Sequence, residues 1–124
     1  MRVFKNKPFA RFARKAQITD AVLCTAVKAA SQGRIDADLG GGVIKQRIAR
    51  QGEGKSGGFR TIILFRLQHR AFFVHGFAKN EQDNIRDDEL EVFKTLAAAM
   101  MSYDDEALAR AVSSSVLTEV VCYG

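Results

Sequence analysis

Basic side chains recur along the three strands that the sequence predicts between residues 43 and 79. In VIKQRIAR, FRTIILFRL and RAFFVHGFAK, cations are interleaved with Ile, Leu, Phe and Val side chains that a core must bury. A chain that places Lys and Arg on core-forming strands usually presents them to an anionic partner. The pattern therefore predicts a surface that binds an anionic partner, and its candidate cations are Lys45, Arg47, Arg50, Lys55, Arg60 and Lys79.

One histidine and two phenylalanines near these cations could contribute to the same surface. His75 lies in the middle of the third predicted strand, where it is either a core residue or an acid–base group, depending on the face it occupies. Phe59 and Phe77 are close to the cations in sequence, and an aromatic ring beside such cations can stack on a nucleic-acid base. The remaining phenylalanines are predicted to form the core.

The loop sequence GEGKSGG shares only part of the phosphate-binding P-loop pattern. Ala49 stands where that pattern requires glycine, and the loop joins two predicted strands, whereas a P-loop joins a strand to a helix. The acids between Asp83 and Glu91 surround a predicted helix start, where negative charge is favourable. We therefore expect no nucleotide triphosphate, no metal ion and no other small-molecule cofactor.

The two cysteines, Cys24 and Cys122, are separated by most of the chain and have the spacing of neither a metal site nor a disulfide framework. We expect two buried free thiols in a reducing compartment. The basic N-terminal segment contains no long apolar run, so we expect no secretory signal, no membrane partner and a cytoplasmic location.

The size and charge of the chain also bear on its partners. The 124 residues predict a single domain over residues 1–124 with one hydrophobic core. The net charge of +5 is unevenly distributed, because the first two-thirds of the sequence is basic and the last third is acidic. The basic part suits a polyanion such as nucleic acid, or an acidic protein partner.

Hydrophobic periodicity predicts an α+β fold in which helices precede and follow the strands. A short strand at Val3 and Phe4 is expected before helices over 8–14 and 19–32, and a loop is expected over 35–42. The three strands follow, joined by a polar loop over 51–58 and a tight turn over 67–70 that makes the second and third antiparallel neighbours. Helices starting near residues 87 and 104 come next, with a last strand or extended tail over 117–123.

Several motifs together resemble the RelE/HigB-type toxins of bacterial toxin–antitoxin pairs. They are the opening strand RVF, the segment LGGGVIKQRIAR, SGGFR at 56–60, GFAK at 76–79 and the overlapping FAKNEQDNIRDDELEVFK. The resemblance implies a small, mainly antiparallel β-sheet with N-terminal helices packed on one face. The hydrophobic periodicity described above adds a C-terminal helical segment. The resemblance also implies that the opposite face binds RNA, that mRNA is cleaved in the ribosome without a metal ion, and that an antitoxin blocks this face.

The resemblance extends to individual residues. The family's catalytic and phosphate-contacting positions match Lys45, Arg47, Arg60 and Lys79. Metal-free cleavage needs a base for the ribose 2′-hydroxyl, cations for the phosphate oxygens and an acid for the leaving 5′-oxygen. Neighbouring positive charge favours loss of a proton from Lys45, which suits a base, whereas Arg60 stays charged and holds the phosphate, and His75 is the candidate acid. Further RNA contacts are expected from Arg50, Lys55, Phe59 and Phe77.

The segment after Lys79 departs from the family pattern. It reads NEQDNIR, with neither the tyrosine nor the histidine that the active branch often carries there. Two alternatives to an mRNA endonuclease therefore remain open, a toxin that inhibits DNA gyrase like the ParE branch and a non-catalytic nucleic-acid-binding regulator. If the chain is an mRNA endonuclease, its expected partners are a cognate antitoxin, mRNA and the ribosome.

Overall fold

The computed structural model describes residues 1–50, 54–79 and 84–123, and the described side chains exclude those of residues 50 and 54–57. Within these ranges the chain forms six strands and four helices. In chain order they are β1 (Arg2–Asn6), α1 (Lys7–Ala16), α2 (Asp20–Ser31), β2 (Ala37–Gly40), β3 (Val43–Arg50), β4 (Gly54–Arg66), β5 (Arg70–Ala78), α3 (Asp87–Met101), α4 (Asp105–Ser113) and β6 (Leu117–Val120).

All six strands belong to one sheet, in the order β2-β3-β4-β5-β1-β6. β1 lies parallel to β5, and the other neighbouring strands are antiparallel. After β1, helices α1 and α2 connect one side of the sheet to its opposite edge, where β2 begins. The later strands β3, β4 and β5 then follow in order, and β5 lies next to β1. The predicted antiparallel pairing of the second and third of the sequence-predicted strands, now β4 and β5, is confirmed.

Helices cover both faces of this sheet. The α1/α2 face is packed around buried side chains that include Phe9, Leu23, Ile44, Ile63 and Phe73. The α3/α4 face is packed around a second buried set, which includes Phe4, Ile62, Leu64, Phe72 and Leu108. The α+β fold with N-terminal helices on one face is therefore confirmed, but part of the opposite face lies beneath the chain's own C-terminal helices. None of the described helices is both long and apolar enough to cross a membrane.

Polar side chains define where the helices begin. The side-chain oxygen of Asn6 accepts a hydrogen bond from the Phe9 N–H at 2.9 Å, and that of Asp104 accepts one from the Ala107 N–H at 2.7 Å. Each bond satisfies an N–H group that the first helical turn leaves without a backbone partner. Thr19 caps α2 in the same way.

Two strand boundaries differ from the sequence prediction. β2 lies inside the segment that was expected to be a loop, because its backbone pairs with β3 and needs no hydrophobic alternation of its own. Glycines 40–42, all with positive φ, make the turn that returns the chain to β3. β4 begins at Gly54, where the sequence predicted loop through residue 58, because backbone pairing with Arg50 extends into the glycine-rich stretch.

A buried arginine connects α3 to the hairpin between β4 and β5. The Nη1 atom of Arg70 donates to the backbone oxygens of Met100, at 3.2 Å, and Tyr103, at 2.7 Å. These carbonyls lie at and beyond the C-terminal end of α3, where backbone oxygens lack helical partners and a cation is favourable. Arg70 therefore fixes α3 over the α3/α4 face.

The prediction of two free thiols is wrong, because Cys24 and Cys122 form a disulfide. Cys24 lies in α2 and Cys122 follows β6, and their Cα atoms are 5.7 Å apart, within the usual range for a disulfide. The sequence separation of 98 residues conceals this proximity. It arises because β6 pairs with β1 at the sheet edge over which α2 extends.

Candidate functional site

Two rows of side chains cross the central strands on the α3/α4 face. In the first row, Ile62 of β4 pairs with Lys45 of β3 on one side and with His75 of β5 on the other. Paired residues of neighbouring strands point to the same face, and Ile62 belongs to the core beneath α3 and α4. Lys45 and His75 therefore share the α3/α4 face, with one strand between them.

The second row lies one repeat further along the strands. Arg60 pairs with Arg47 on β3 and with Phe77 on β5, so these three side chains share the face of the first row. Lys79 is exposed and follows β5 directly, two residues beyond Phe77. The structure thus brings Lys45, Arg47, Arg60, His75 and Phe77 onto one face and Lys79 to its end. We call the two rows together the cation rows.

One of the nominated RNA-binding residues, Phe59, lies away from the site, and two others have side chains outside the described residues. Phe59 is buried on the α1/α2 face, where its ring meets that of Phe12 edge-on at 5.6 Å between centroids. From there it cannot stack on a base held by the cation rows. The side chains of Arg50 and Lys55 lie outside the described residues.

The side chains of the cation rows differ in exposure. Arg47 is exposed and Lys45 is half-buried, with its Nζ donating to Asn84 Oδ1 at 3.4 Å. Arg60 and Phe77 are only 6% and 4% exposed, respectively. Solvent therefore reaches the β3 side of the rows more readily than the β4 and β5 positions. A phosphate that approached this face would meet Arg47 first.

His75 occupies an aromatic environment beneath the start of α3. Its ring centroid lies 5.7 Å from that of Phe77 and 5.8 Å from that of Phe93. Its Nε2 atom is buried and has no hydrogen-bond partner in the described part of the chain. Burial lowers the pKa of His75 below its ordinary value of 6.5, and the Glu89 carboxylate opposes this shift without cancelling it. The imidazole is therefore neutral at pH 7.

The two residues of α3 that contact or face His75 were not nominated from the sequence. Glu89 and Phe93 are four residues apart and so lie on one side of the helix. Glu89 was interpreted as one of the acids at a helix start, and Phe93 as one of the phenylalanines of the core. The strand that Phe93 covers could not be identified without the fold.

Lowering the pH is expected to destabilise the protein through His75. The folded protein holds this imidazole neutral while the unfolded chain protonates it near pH 6.5, so the unfolded state binds more protons. This contribution to stability is fully present above pH 6.5 and is lost as the pH falls toward the lowered pKa. Thermal melts between pH 7.5 and pH 5 measure the effect.

The matched variants for this experiment are His75→Gln and His69→Gln. His75→Gln removes the buried titrating group, so its melting temperature should fall less between pH 7.5 and pH 5 than that of the unmodified protein. His69→Gln retains His75 and should keep the steeper fall. Equal pH dependence in the unmodified protein and His75→Gln would contradict the assignment.

Residues that could hold a metal ion are not gathered at this site. Among residues 1–50, 54–79 and 84–123, no group of three or more His, Cys, Asp or Glu side chains is arranged to bind a metal. The described donors around the cation rows are mainly cationic, so the described site is suited to anions. It offers positive charge for a phosphate, and a neutral imidazole separated from an amine by one intervening strand.

Comparison with known proteins identifies the family. The chain matches a family model described as the RelE toxin of the RelE/RelB toxin–antitoxin system, and the match covers residues 1–120. A search of curated proteins found no match. The family match spans nearly the entire chain and agrees with the observed α+β fold. The chain therefore belongs to the RelE toxin family: it is the toxin of a toxin–antitoxin system, and its partner is an antitoxin.

Proposed function

We propose that this toxin inhibits translation in the cytoplasm by cleaving mRNA on the ribosome, with no metal ion in the reaction. The observation that carries the proposal is the register of the cation rows, which places two arginines, a lysine and a histidine on one face. Membership of the RelE family supports the toxin role, and the arrangement of charge supports a phosphodiester as the substrate.

The reaction requires no group beyond these side chains and the RNA. The ribose 2′-hydroxyl loses its proton and attacks the adjacent phosphorus, and the bond from phosphorus to the 5′-oxygen breaks as that oxygen gains a proton. One product ends in a 2′,3′-cyclic phosphate and the other begins with a 5′-hydroxyl. Arg47 and Arg60 stabilise the negative charge that builds on the phosphate oxygens, which is where fixed cations contribute most to catalysis.

In this proposal His75 and Lys45 exchange the roles that the sequence suggested, because of the environment of His75. A histidine with a lowered pKa is neutral at pH 7 and so accepts a proton, which makes it the base in this proposal. The Lys45 ammonium then donates to the leaving oxygen. Their Cα atoms are two strands apart, about 10 Å, which leaves room for a phosphodiester between base and acid.

The test is to map transcripts after induction of the toxin. Primer extension should reveal discrete cuts that appear only when the transcript is translated. The cut ends should carry a 2′,3′-cyclic phosphate and a 5′-hydroxyl, whereas metal-dependent hydrolysis leaves a 5′-phosphate or a 3′-phosphate without the cyclic form. Intact transcripts would refute the proposal. Intact transcripts with altered DNA supercoiling would indicate gyrase inhibition instead, and intact transcripts with retained RNA binding would indicate a regulator.

A further inference from the structure

Two cavities adjoin each other on the α1/α2 side of the sheet, and among the described residues they share only Arg47 with the cation rows. Their volumes are about 980 Å³ and about 260 Å³, and both are lined by Val22, Ile48 and Ala49. The larger cavity extends between the turn after α1 and the ends of β3, β4 and β5, and the smaller one follows α2 as far as Arg34. We call this continuous depression the α2 groove.

One wall of the α2 groove is an open sheet edge. β2 pairs with β3 only as far as Lys45. The next backbone N–H group on the outer edge of β3 belongs to Arg47, and it donates to the carboxylate of Asp36 at 2.6 Å. Beyond Arg47, no strand of the described chain pairs with the outer edge of β3, and Ala49 is exposed there. An unpaired edge of this kind accepts the backbone of an extended peptide.

The groove combines an apolar floor with positive charge. Its floor includes the buried Ile48, and Val22 on its α2 wall is 38% exposed, which is high for a valine on a packed helix. Lys15, Arg34 and Arg47 line it, and none of the three forms an ion pair with another described side chain. Among the described residues that line the groove, Asp36 is the one carboxylate. A segment that carries both small apolar and acidic residues is therefore complementary to it.

We infer that an extended, acidic segment of the antitoxin binds in the α2 groove, with its backbone against the open edge of β3. This inference rests on membership of the toxin family, and it does not depend on the proposed nuclease activity. Apolar side chains of the segment would cover Val22 and Ile48, and its carboxylates would approach Lys15 and Arg34. The antitoxin would thus hold the toxin from the α1/α2 side of the sheet and, among the described residues, would reach the cation rows only at Arg47.

The substitution Val22→Asp tests this binding directly. It replaces an apolar contact by a negative charge that repels an acidic segment, and it lies in the first turn of α2, where a carboxylate is compatible with the helix. The control Val22→Leu keeps the apolar contact. The antitoxin used is the product of the neighbouring reading frame, purified with the toxin, and its affinity for each variant is measured by titration at fixed salt.

Val22→Asp is expected to weaken antitoxin binding by at least about tenfold, the scale of one buried apolar anchor replaced by a like charge. Its growth inhibition without antitoxin should equal that of Val22→Leu. Hydrogen exchange should slow at the Ala49 amide when the antitoxin binds. Equal affinities for the two variants, or an unprotected Ala49 amide, would overturn the inference. So would a dimer of the toxin alone that Val22→Asp dissociates, because a second copy would then occupy the groove.

The outcome can be separated from that of the nuclease proposal. A toxin that leaves transcripts intact but binds the antitoxin through Val22 would refute the proposed function and retain this inference. A toxin that cuts transcripts and binds the antitoxin equally well with Asp or Leu at position 22 would support the proposed function and refute this inference.

Discussion

Replacing Arg47 and Arg60 together by glutamine is expected to lower the rate of transcript cleavage by about 10²–10³-fold. The pairing of these residues across β3 and β4 places two guanidinium groups on the face where the phosphate would bind. Glutamine keeps much of the side-chain length and its hydrogen-bonding capacity but removes the charge that stabilises the developing oxyanion. The rate is measured by primer extension in a purified translation system programmed with one defined transcript.

The burial of Arg60 makes a folding control necessary for this variant. Arg66→Gln is the matched control, because it makes the same substitution in the same strand at an exposed position away from the cation rows. Arg60→Lys retains a charge but loses the planar guanidinium. Its rate of transcript cleavage should therefore lie between that of the unmodified protein and that of the double variant. Thermal melts and circular dichroism establish that each variant is folded. A folded double variant that cuts at the unmodified rate would exclude the cation rows from the reaction.

The alternation along β4 could be read from the sequence because it follows from strand geometry alone. FRTIILFRL assigns Arg60, Ile62 and Leu64 to one face and the intervening residues to the other, and the observed clusters agree. The same alternation already separates Phe59 from Arg60. Phe59 was nominated because it is adjacent in sequence, but adjacent residues of a strand point to opposite faces.

Features that depend on contacts between distant segments could not be read in this way. β2 has no hydrophobic alternation, and its strand exists because the edge of β3 accepts it. The parallel pairing of β1 with β5 leaves no local signal in either strand. The aromatic environment of His75 depends on Phe93, which reaches the sheet only because α3 folds back over β4 and is held there by Arg70. The pKa of His75 was unpredictable for the same reason.

The substitution Cys122→Ser is expected to lower the free energy of unfolding by about 2–5 kcal/mol under oxidising conditions. The Cys24–Cys122 disulfide joins residues 98 positions apart, and a crosslink over so long a segment removes much conformational freedom from the unfolded chain. Cys122 is exposed, so the smaller serine side chain removes little packing. Chemical denaturation of the oxidised protein and of the variant, monitored by circular dichroism, gives the difference directly.

Adding a reductant supplies the control for this prediction. It should lower the stability of the unmodified protein to that of Cys122→Ser and leave the variant unchanged. A thiol assay that finds two free cysteines in the oxidised protein, or a denaturation midpoint unaffected by reductant, would contradict the disulfide. Because thiols are usually kept reduced in the cytoplasm, a toxin acting there would lack this crosslink unless the bond resists reduction. The free energy of unfolding measured in reductant is therefore the value that applies to a toxin acting in the cytoplasm.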